Sequence, residues 1–141
     1  RYFRGTPLYP FGYGLSYTRF GYGKLRLDAP RITDNGTLKV QVDVSNTGKR
    51  AGDEVVQLYV RRLAAGAGDA RQTLQGFQRV HLAPGERRTV AFDLEAQQAL
   101  RQYDDARGTY VVPPGAYEVR VGGSSDDARV QSRFTVEARR D

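Results

Sequence analysis

Three pairs of adjacent carboxylates are the residues of this chain best suited to hydrolytic chemistry. They are Asp53-Glu54, Asp104-Asp105 and Asp126-Asp127. Cleavage of a glycosidic bond uses two carboxylates about 5–9.5 Å apart across a cleft. The first pair lies in a predicted strand, where neighbouring side chains point to opposite faces. The other two pairs lie in predicted turns, where Asp commonly accepts backbone hydrogen bonds. We therefore predict no catalytic pair among them.

Nucleophilic, metal-binding and phosphate-binding arrangements are also weak in this sequence. The single histidine, His81, lies between two apolar residues of a predicted strand, which predicts an outward-facing, solvated side chain. The chain has no cysteine, so a thiolate metal site and a disulfide framework are excluded. Ser124 or Ser125 could complete a Ser-His-Asp triad, but the segment GGSSDD is more typical of a hairpin loop. No glycine-rich segment precedes a predicted helix, so we expect no phosphate-binding loop. From these observations together we predict no catalytic residue, metal or cofactor.

The net charge of +6 reflects a dispersed surplus of arginine rather than a basic patch. Nucleic-acid-binding proteins concentrate their positive charge on one face or helix, so we expect no nucleic-acid binding. No apolar run approaches the roughly 18 residues of a membrane span, and no stretch resembles a signal peptide. The chain begins at Arg1 and contains no methionine, so we expect a fragment or a processed product.

Nine tyrosines offer material for carbohydrate recognition, because exposed phenol rings stack on sugar faces. Tyr103 and Tyr110 are the best placed for this role, since they lie near a predicted helical connector and a turn. The alternative, which we favour, is that each ring packs on the core while its hydroxyl finds a backbone partner.

The chain that positions these residues is predicted to be built from strands. From residue 24 onward the apolar residues recur with a period of two, as in LKVQVDV (38–44) and VAFDL (90–94). Residues 55–60 are apolar on both faces, which predicts a central strand. Residues 95–102 predict a short helical connector. About seven strands separated by Gly/Pro turns predict an all-β, immunoglobulin- or fibronectin type III-like β-sandwich.

Residues 1–22 differ from the rest, because aromatic residues are interspersed with glycine and proline, as in PFGYGLSYTRF (10–20). Such a segment carries a large apolar load that needs a surface to cover it. We predict that residues 1–22 are a connector and that residues 23–141 are the sandwich. The aromatic residues expected to dock on a neighbouring domain are Tyr9, Phe11, Tyr13, Tyr17 and Phe20.

Four segments together resemble the C-terminal part of family 3 glycoside hydrolases. Residues 10–20 resemble the tail of the family's α/β domain, which leads into its C-terminal fibronectin type III-like domain. The other three segments resemble that fibronectin type III-like domain; they are VDVSNTGKRAGDEVVQLYV (42–60), LQGFQRVHLAPGERRTVAF (74–92) and PPGAYEVRVGGSSDDARV (113–130). The sequence departs from the family at DARQT (69–73), where Arg-Pro is common, and at Tyr110, where Trp is common. Fold alone would not indicate a function, but four motifs in the family's order do.

The resemblance implies a retaining β-glycosidase acting on β-glucosides or β-xylosides as the parent enzyme, exported to the periplasm or outside the cell. Both catalytic carboxylates would lie in its other domains, so this chain would be a non-catalytic accessory domain. Its expected partners are the catalytic domains of the parent, whose cleft rim it would support, and a second copy in a homodimer. The alternatives are a free-standing module that binds a polysaccharide or mediates adhesion, and a purely structural spacer.

Overall fold

The computed structural model describes residues 18–63, 72–123 and 129–139. These residues form a β-sandwich, which confirms the predicted all-β fold class. The strands and helix are β1 (Phe20–Leu27), β2 (Arg31–Thr33), β3 (Thr37–Asn46), β4 (Gly52–Arg62), β5 (Thr73–Leu82), β6 (Arg87–Glu95), α1 (Ala96–Ala99), β7 (Gln102–Asp104), β8 (Thr109–Val111), β9 (Gly115–Gly123) and β10 (Arg129–Glu137).

Two sheets face each other across the core. One has the strand order β1-β3-β6 and the other β2-β10-β9-β4-β5, while β7 and β8 form a separate hairpin. Neighbouring strands are antiparallel, except that β2 runs parallel to β10. The central position of β4, hydrogen-bonded to β5 and β9, agrees with the prediction from its two apolar faces.

The core is built from the side chains at alternate positions of the long strands. In β3, Leu38, Val40, Val42 and Val44 are fully buried, while the residues between them face outward. They lie opposite the buried Val56, Leu58 and Val60 of β4 and their counterparts in β9 and β10. The side chains at alternate positions therefore form an apolar layer between the two sheets, and burial of this apolar area stabilises the sandwich.

Tyr117 connects the core to the segment that enters β9. Its ring stacks on Phe134, with centroids 5.5 Å apart and planes inclined by 20°. Its hydroxyl donates a hydrogen bond of 2.6 Å to the carbonyl oxygen of Pro113. Burial raises the pKa of the Tyr117 phenol above its ordinary value, with a smaller opposing effect of Arg62. The ring thus packs as a core residue while its polar end satisfies a buried carbonyl group.

The structure also differs from the predicted element list. The strands β2, β7 and β8 add to the predicted set of about seven, and the helical segment 95–102 contracts to α1, followed by the buried Leu100. Strand β1 begins at Phe20, inside the stretch predicted as connector. Among the described helices, none is both long and apolar enough to cross a membrane.

Candidate functional site

The carboxylates Asp53 and Glu54 point to opposite faces of β4, as the strand alternation predicted. Asp53 is exposed, and its Oδ1 lies 2.5 Å from Nδ1 of the exposed His81 on β5. Glu54 is only 1% exposed, and its Oε2 accepts a hydrogen bond of 2.7 Å from the Tyr22 hydroxyl. A methyl group added at Gly123 would overlap the Glu54 carboxylate. Glu54 therefore connects β1, β4 and β9 inside the sandwich, where a substrate has no access.

The second carboxylate pair has the turn role that the sequence predicted. Asp104 Oδ1 accepts hydrogen bonds from the backbone amides of Ala106, at 3.0 Å, and Arg107, at 3.4 Å. Its neighbour Asp105 is exposed in the same turn. The pair Asp126-Asp127 and the serines at 124 and 125 lie outside the described residues. Within the described part of the chain, no group of three or more His, Asp or Glu side chains could hold a metal ion.

The entry of the chain into the sandwich is held by one buried asparagine, Asn46, which is 1% exposed. Its Oδ1 accepts hydrogen bonds of 2.9 Å from the Thr18 hydroxyl and the Gly48 amide. Its Nδ2 donates to the carbonyl oxygens of Arg50 at 2.8 Å and Leu82 at 2.9 Å. We call Thr18, Asn46 and Gly48 the connector anchor, because they hold the end of the connector (residues 1–22) against the 47–51 loop.

Two positions next to Thr18, Gly48 and Gly52, require glycine because the chain segments lie too close together for a side chain. A methyl group at Gly48 would overlap the Thr18 hydroxyl and lie 2.9 Å from the Arg19 amide nitrogen. A methyl group at Gly52 would lie 2.8 Å from Thr18 Cγ2. Both distances are shorter than ordinary carbon contacts, so these two glycines leave the space that Thr18 occupies. The Asn-Thr-Gly turn and the Gly that begins β4 therefore form a socket for Thr18.

The aromatic residues predicted to dock on a neighbour fall into two groups. Tyr9, Phe11, Tyr13 and Tyr17 lie outside the described residues, so their docking stays a prediction. The predicted docking of Phe20 on a neighbouring domain is wrong, because its side chain is 5% exposed and lies within the core of the sandwich. Phe20 pairs with Asn46 in the register of β1 and β3, which directs its ring inward.

The side chains of Tyr103 and Tyr110 are directed to solvent, with 55% and 56% of their surface exposed. The favoured alternative, packing on the core, is therefore wrong for both residues. The two rings meet edge to face, with centroids 5.3 Å apart and planes inclined by 80°. The guanidinium carbon of Arg101 lies 4.5 Å from the centre of the Tyr110 ring, a cation–π contact. This cluster does not form a flat platform, and one face of Tyr110 is covered.

An apolar surface on the five-stranded sheet was not predicted from the sequence. Phe77 is 66% exposed and Leu74 is 46% exposed on β5, and they lie opposite Gln57 and Tyr59 of β4. We call this side of the sheet, which faces away from the core, the outer sheet face. A signal was present in the sequence, because Phe77 is out of phase with the inward-facing Val80 of the same strand.

An ion cluster lies on the same face, across β4 and β9. The Glu118 carboxylate is 4% exposed, and its Oε1 lies 2.9 Å from Arg61 Nε and 3.5 Å from Arg120 Nη2. Two guanidinium groups therefore share one carboxylate. Within the described chain Arg120 Nε is buried and has no hydrogen-bond partner. The cluster adds positive charge beside the apolar surface.

Asp53, Glu54, Asp104 and Glu118 thus make structural contacts, and the distinctive surfaces of the described residues are apolar or aromatic. Comparison with known protein families identifies the domain that carries these surfaces. The profile of the Fn3-like family, described as Fibronectin type III-like domain, matches residues 54–125. The chain belongs to the Fn3-like family. The match spans β5, β9 and most of β4, the strands that carry Leu74, Phe77 and the ion cluster.

Relatives of this Fn3-like chain are much longer proteins. It is 48% identical over 129 residues to a β-xylosidase of Formosa agariphila, a match covering 90% of this chain and 18% of the relative. It is 37% identical over 142 residues to the thermostable β-glucosidase B of Acetivibrio thermocellus, covering 92% of this chain and 19% of the relative. A solved β-glucosidase structure from Erythrobacter marinus aligns with a TM-score of 0.74 at 42% identity, covering 96% of this chain and 18% of that one. The chain therefore spans less than a fifth of these relatives.

Proposed function

We propose that this Fn3-like chain is the non-catalytic C-terminal accessory domain of a retaining β-glycosidase of glycoside hydrolase family 3, which hydrolyses β-glucosides or β-xylosides. One observation carries the proposal. The match covers 90% of this chain but only 18% of a β-xylosidase, so the chain corresponds to one domain of a larger enzyme. The domain acts by stabilising the catalytic domains against which it packs, and it supports the rim of the cleft or a dimer contact.

The chemistry of the described residues supports an accessory role. The buried carboxylates Glu54 and Glu118 are held by a tyrosine hydroxyl and by two guanidinium groups, respectively. The exposed carboxylate Asp53 pairs with His81. These three carboxylates are therefore occupied in contacts within the sandwich, and in this proposal the pair that glycoside hydrolysis needs belongs to the rest of the parent enzyme.

The physical basis of stabilisation is the linkage between docking and folding. A domain that binds only the folded form of its neighbour shifts the neighbour's unfolding equilibrium towards the folded state. Covalent attachment raises the effective concentration of the partner to the millimolar range for a short linker. The connector anchor serves this purpose, since Thr18 and Asn46 fix the direction in which the chain enters the sandwich.

A chimeric enzyme tests this proposal. In the chimera, this chain replaces the matching region of the Formosa agariphila β-xylosidase. The enzyme is held at elevated temperature, and the half-life of its β-xyloside-hydrolysing activity is measured. We expect the chimera to keep its activity far longer than the same enzyme without that region. The matched control carries an immunoglobulin-type domain of similar size instead. Equal half-lives for the chimera, the truncated enzyme and the control would contradict the accessory function.

The coding sequence upstream of the Arg1 codon provides an independent test. We expect the reading frame to continue into a barrel and an α/β domain, because these carry the catalytic carboxylates of the resembling family. A start codon immediately upstream would instead leave the chain without its proposed partner.

A second candidate is a carbohydrate-binding module, which the exposure of Tyr103 and Tyr110 favours. Retention on soluble glucan or xylan in affinity electrophoresis, reduced by Tyr103→Ala, would support it. The perpendicular rings and the contact of Arg101 with Tyr110 make a flat polysaccharide chain a poor fit. We therefore expect migration to be unaffected by either polysaccharide, and we place accessory docking first.

A further inference from the structure

We propose that the outer sheet face, with the apolar patch of Phe77 and Leu74 at its β5 edge, is the surface that docks on the catalytic part of the parent enzyme, and that the surface it meets is apolar with an acidic rim. This inference rests on the proposed function and names the face and the chemistry of its partner. Neither follows from the family match, which assigns no surface.

The apolar patch at the β5 edge of the face extends over two neighbouring strands. Phe77 and Leu74 of β5 are the large apolar residues most open to solvent, apart from the tyrosines of the β7–β8 hairpin. The half-buried Val55 and Tyr59 lie beside them on β4, at positions adjacent in register. Isolated exposed apolar residues are ordinary, but a contiguous group on a flat sheet is typical of an interaction site.

The opposite side of the sandwich lacks such a surface. The outward positions of β3 and β6 in the three-stranded sheet carry polar, charged or small residues. They are Lys39, Gln41, Asp43, Ser45, Arg87, Thr89, Ala91, Asp93 and Glu95. Among the described residues, no large apolar side chain is exposed on that sheet. The two sheets therefore differ in the way expected if only the five-stranded one meets a partner.

The charges on the rest of the face favour an acidic partner. Among described side chains, the outward positions of the five-stranded sheet carry five basic and three acidic groups. They are Arg31, Arg61, Arg79, Arg120 and Arg133, and Asp53, Glu118 and Glu137. A second copy of the chain would bring two faces of the same positive sign together, which like-charge repulsion opposes. A surface that combines an apolar area with acidic residues beside it is the complementary match.

The size of the face is adequate for contact between domains. Five strands about 4.8 Å apart, with about seven residues rising about 3.3 Å each, make a face of roughly 24 by 23 Å, or about 550 Å². This flat area is close to the lower limit of roughly 600–1,500 Å² for interfaces between domains of one chain. Side chains rising from the sheet enlarge the area that can be covered.

The test compares four substitutions in the β-xylosidase chimera and in the 141-residue chain alone. Phe77→Ser removes the most exposed large apolar side chain of the face, and Tyr103→Ser is its matched control, an exposed aromatic residue away from the sheet. Arg79→Glu reverses a charge on the face, and Arg87→Glu reverses one on the opposite sheet. Inactivation half-life is measured for the chimera, and the thermal unfolding midpoint for the chain alone.

We expect Phe77→Ser to weaken docking by roughly tenfold to hundredfold, the factor that corresponds to burial of one phenyl side chain. The half-life of the chimera should fall accordingly, and Arg79→Glu should shorten it as well. Tyr103→Ser and Arg87→Glu should leave it unchanged. All four variants of the chain alone should unfold within about 2 °C of the parent sequence, because the altered side chains are exposed.

The possible failures are distinguishable. If the unaltered chimera is no longer-lived than the truncated enzyme, the accessory function fails. If the unaltered chimera is protected and Phe77→Ser is protected equally, the function stands and the docking face is wrong. A dimer of the chain that Phe77→Ser converts to a monomer in light scattering would assign the face to a second copy. Retention on glucan or xylan that Phe77→Ser abolishes would assign it to a polysaccharide. Either result overturns the inference.

Discussion

Replacement of Asn46 with alanine removes four hydrogen bonds made by a single buried side chain. These bonds connect the Thr18 hydroxyl, the Gly48 amide and the carbonyl oxygens of Arg50 and Leu82, at 2.8–2.9 Å. The partners belong to three separate parts of the sandwich, namely the chain entry, the 47–51 loop and the end of β5. The substitution therefore tests whether the connector anchor holds these parts together.

The magnitude follows from the number of bonds and from burial. A hydrogen bond contributes about 1 kcal/mol net, and a buried group left without a partner costs about 1–3 kcal/mol. Two of the four bonds, those to Thr18 and Leu82, are buried, and the other two are partly buried. We therefore expect Asn46→Ala to lower the free energy of unfolding by about 4 kcal/mol. For a domain of this size the melting temperature should fall by roughly 10–15 °C.

Urea unfolding followed by circular dichroism measures this change, and a double-mutant cycle with Thr18→Val isolates one bond. Thr18→Val alone should cost about 1 kcal/mol, and much of that cost should vanish in the Asn46→Ala background. Asn35→Ala, at an exposed turn asparagine, is the matched control and should change stability by less than about 0.5 kcal/mol. If Asn46→Ala costs no more than Thr18→Val, the asparagine does not join the three parts.

Two further predictions concern close packing and pH. Gly123→Ala should lower stability by about 1–3 kcal/mol in urea unfolding, because the added methyl overlaps the buried Glu54 carboxylate. Gly23→Ala, whose methyl would meet nothing within 4 Å, should cost distinctly less, and equal costs would refute the overlap argument. Because burial raises the pKa of Tyr117, the unfolded state loses its phenol proton first, so stability should fall as pH rises through about 10. Tyr117→Phe should lower stability at pH 7 but flatten this alkaline decline, and an unchanged decline would contradict the raised pKa.

The long strands were predictable because their signal is local. An apolar residue at every second position, as in 38–44, is enough to place one face of a strand against a core. The strands β2, β7 and β8 have only three residues each, which is too short for any period to be recognised. They exist because a partner strand or a tight turn supplies their hydrogen bonds. Their positions therefore became apparent only in the folded chain.

The candidate sites divide in the same way. Alternation along β4 was sufficient to separate Asp53 from Glu54, since it depends on the backbone alone. The exposure of Tyr103 and the burial of Phe20 were not predictable, because both are aromatic residues near glycine-rich or turn segments in the sequence. The difference arises from pairing, since β1 aligns Phe20 with the buried Asn46, whereas the β7–β8 hairpin stands apart from both sheets.

The amino-acid sequence by itself determined the long strands, their inward faces, the glycine and proline turns and the resemblance to the Fn3-like domain. These properties depend on residues close together in the chain, so short segments of sequence are enough to recognise them. Only the tertiary structure decided which outward face is apolar and what the buried polar groups bind. Asn46 meets Thr18 and Leu82 across 28 and 36 residues of chain, and Leu74 lies opposite Tyr59 through sheet pairing. Contacts between residues so far apart in the chain leave no local pattern, because they arise only when the sheets assemble.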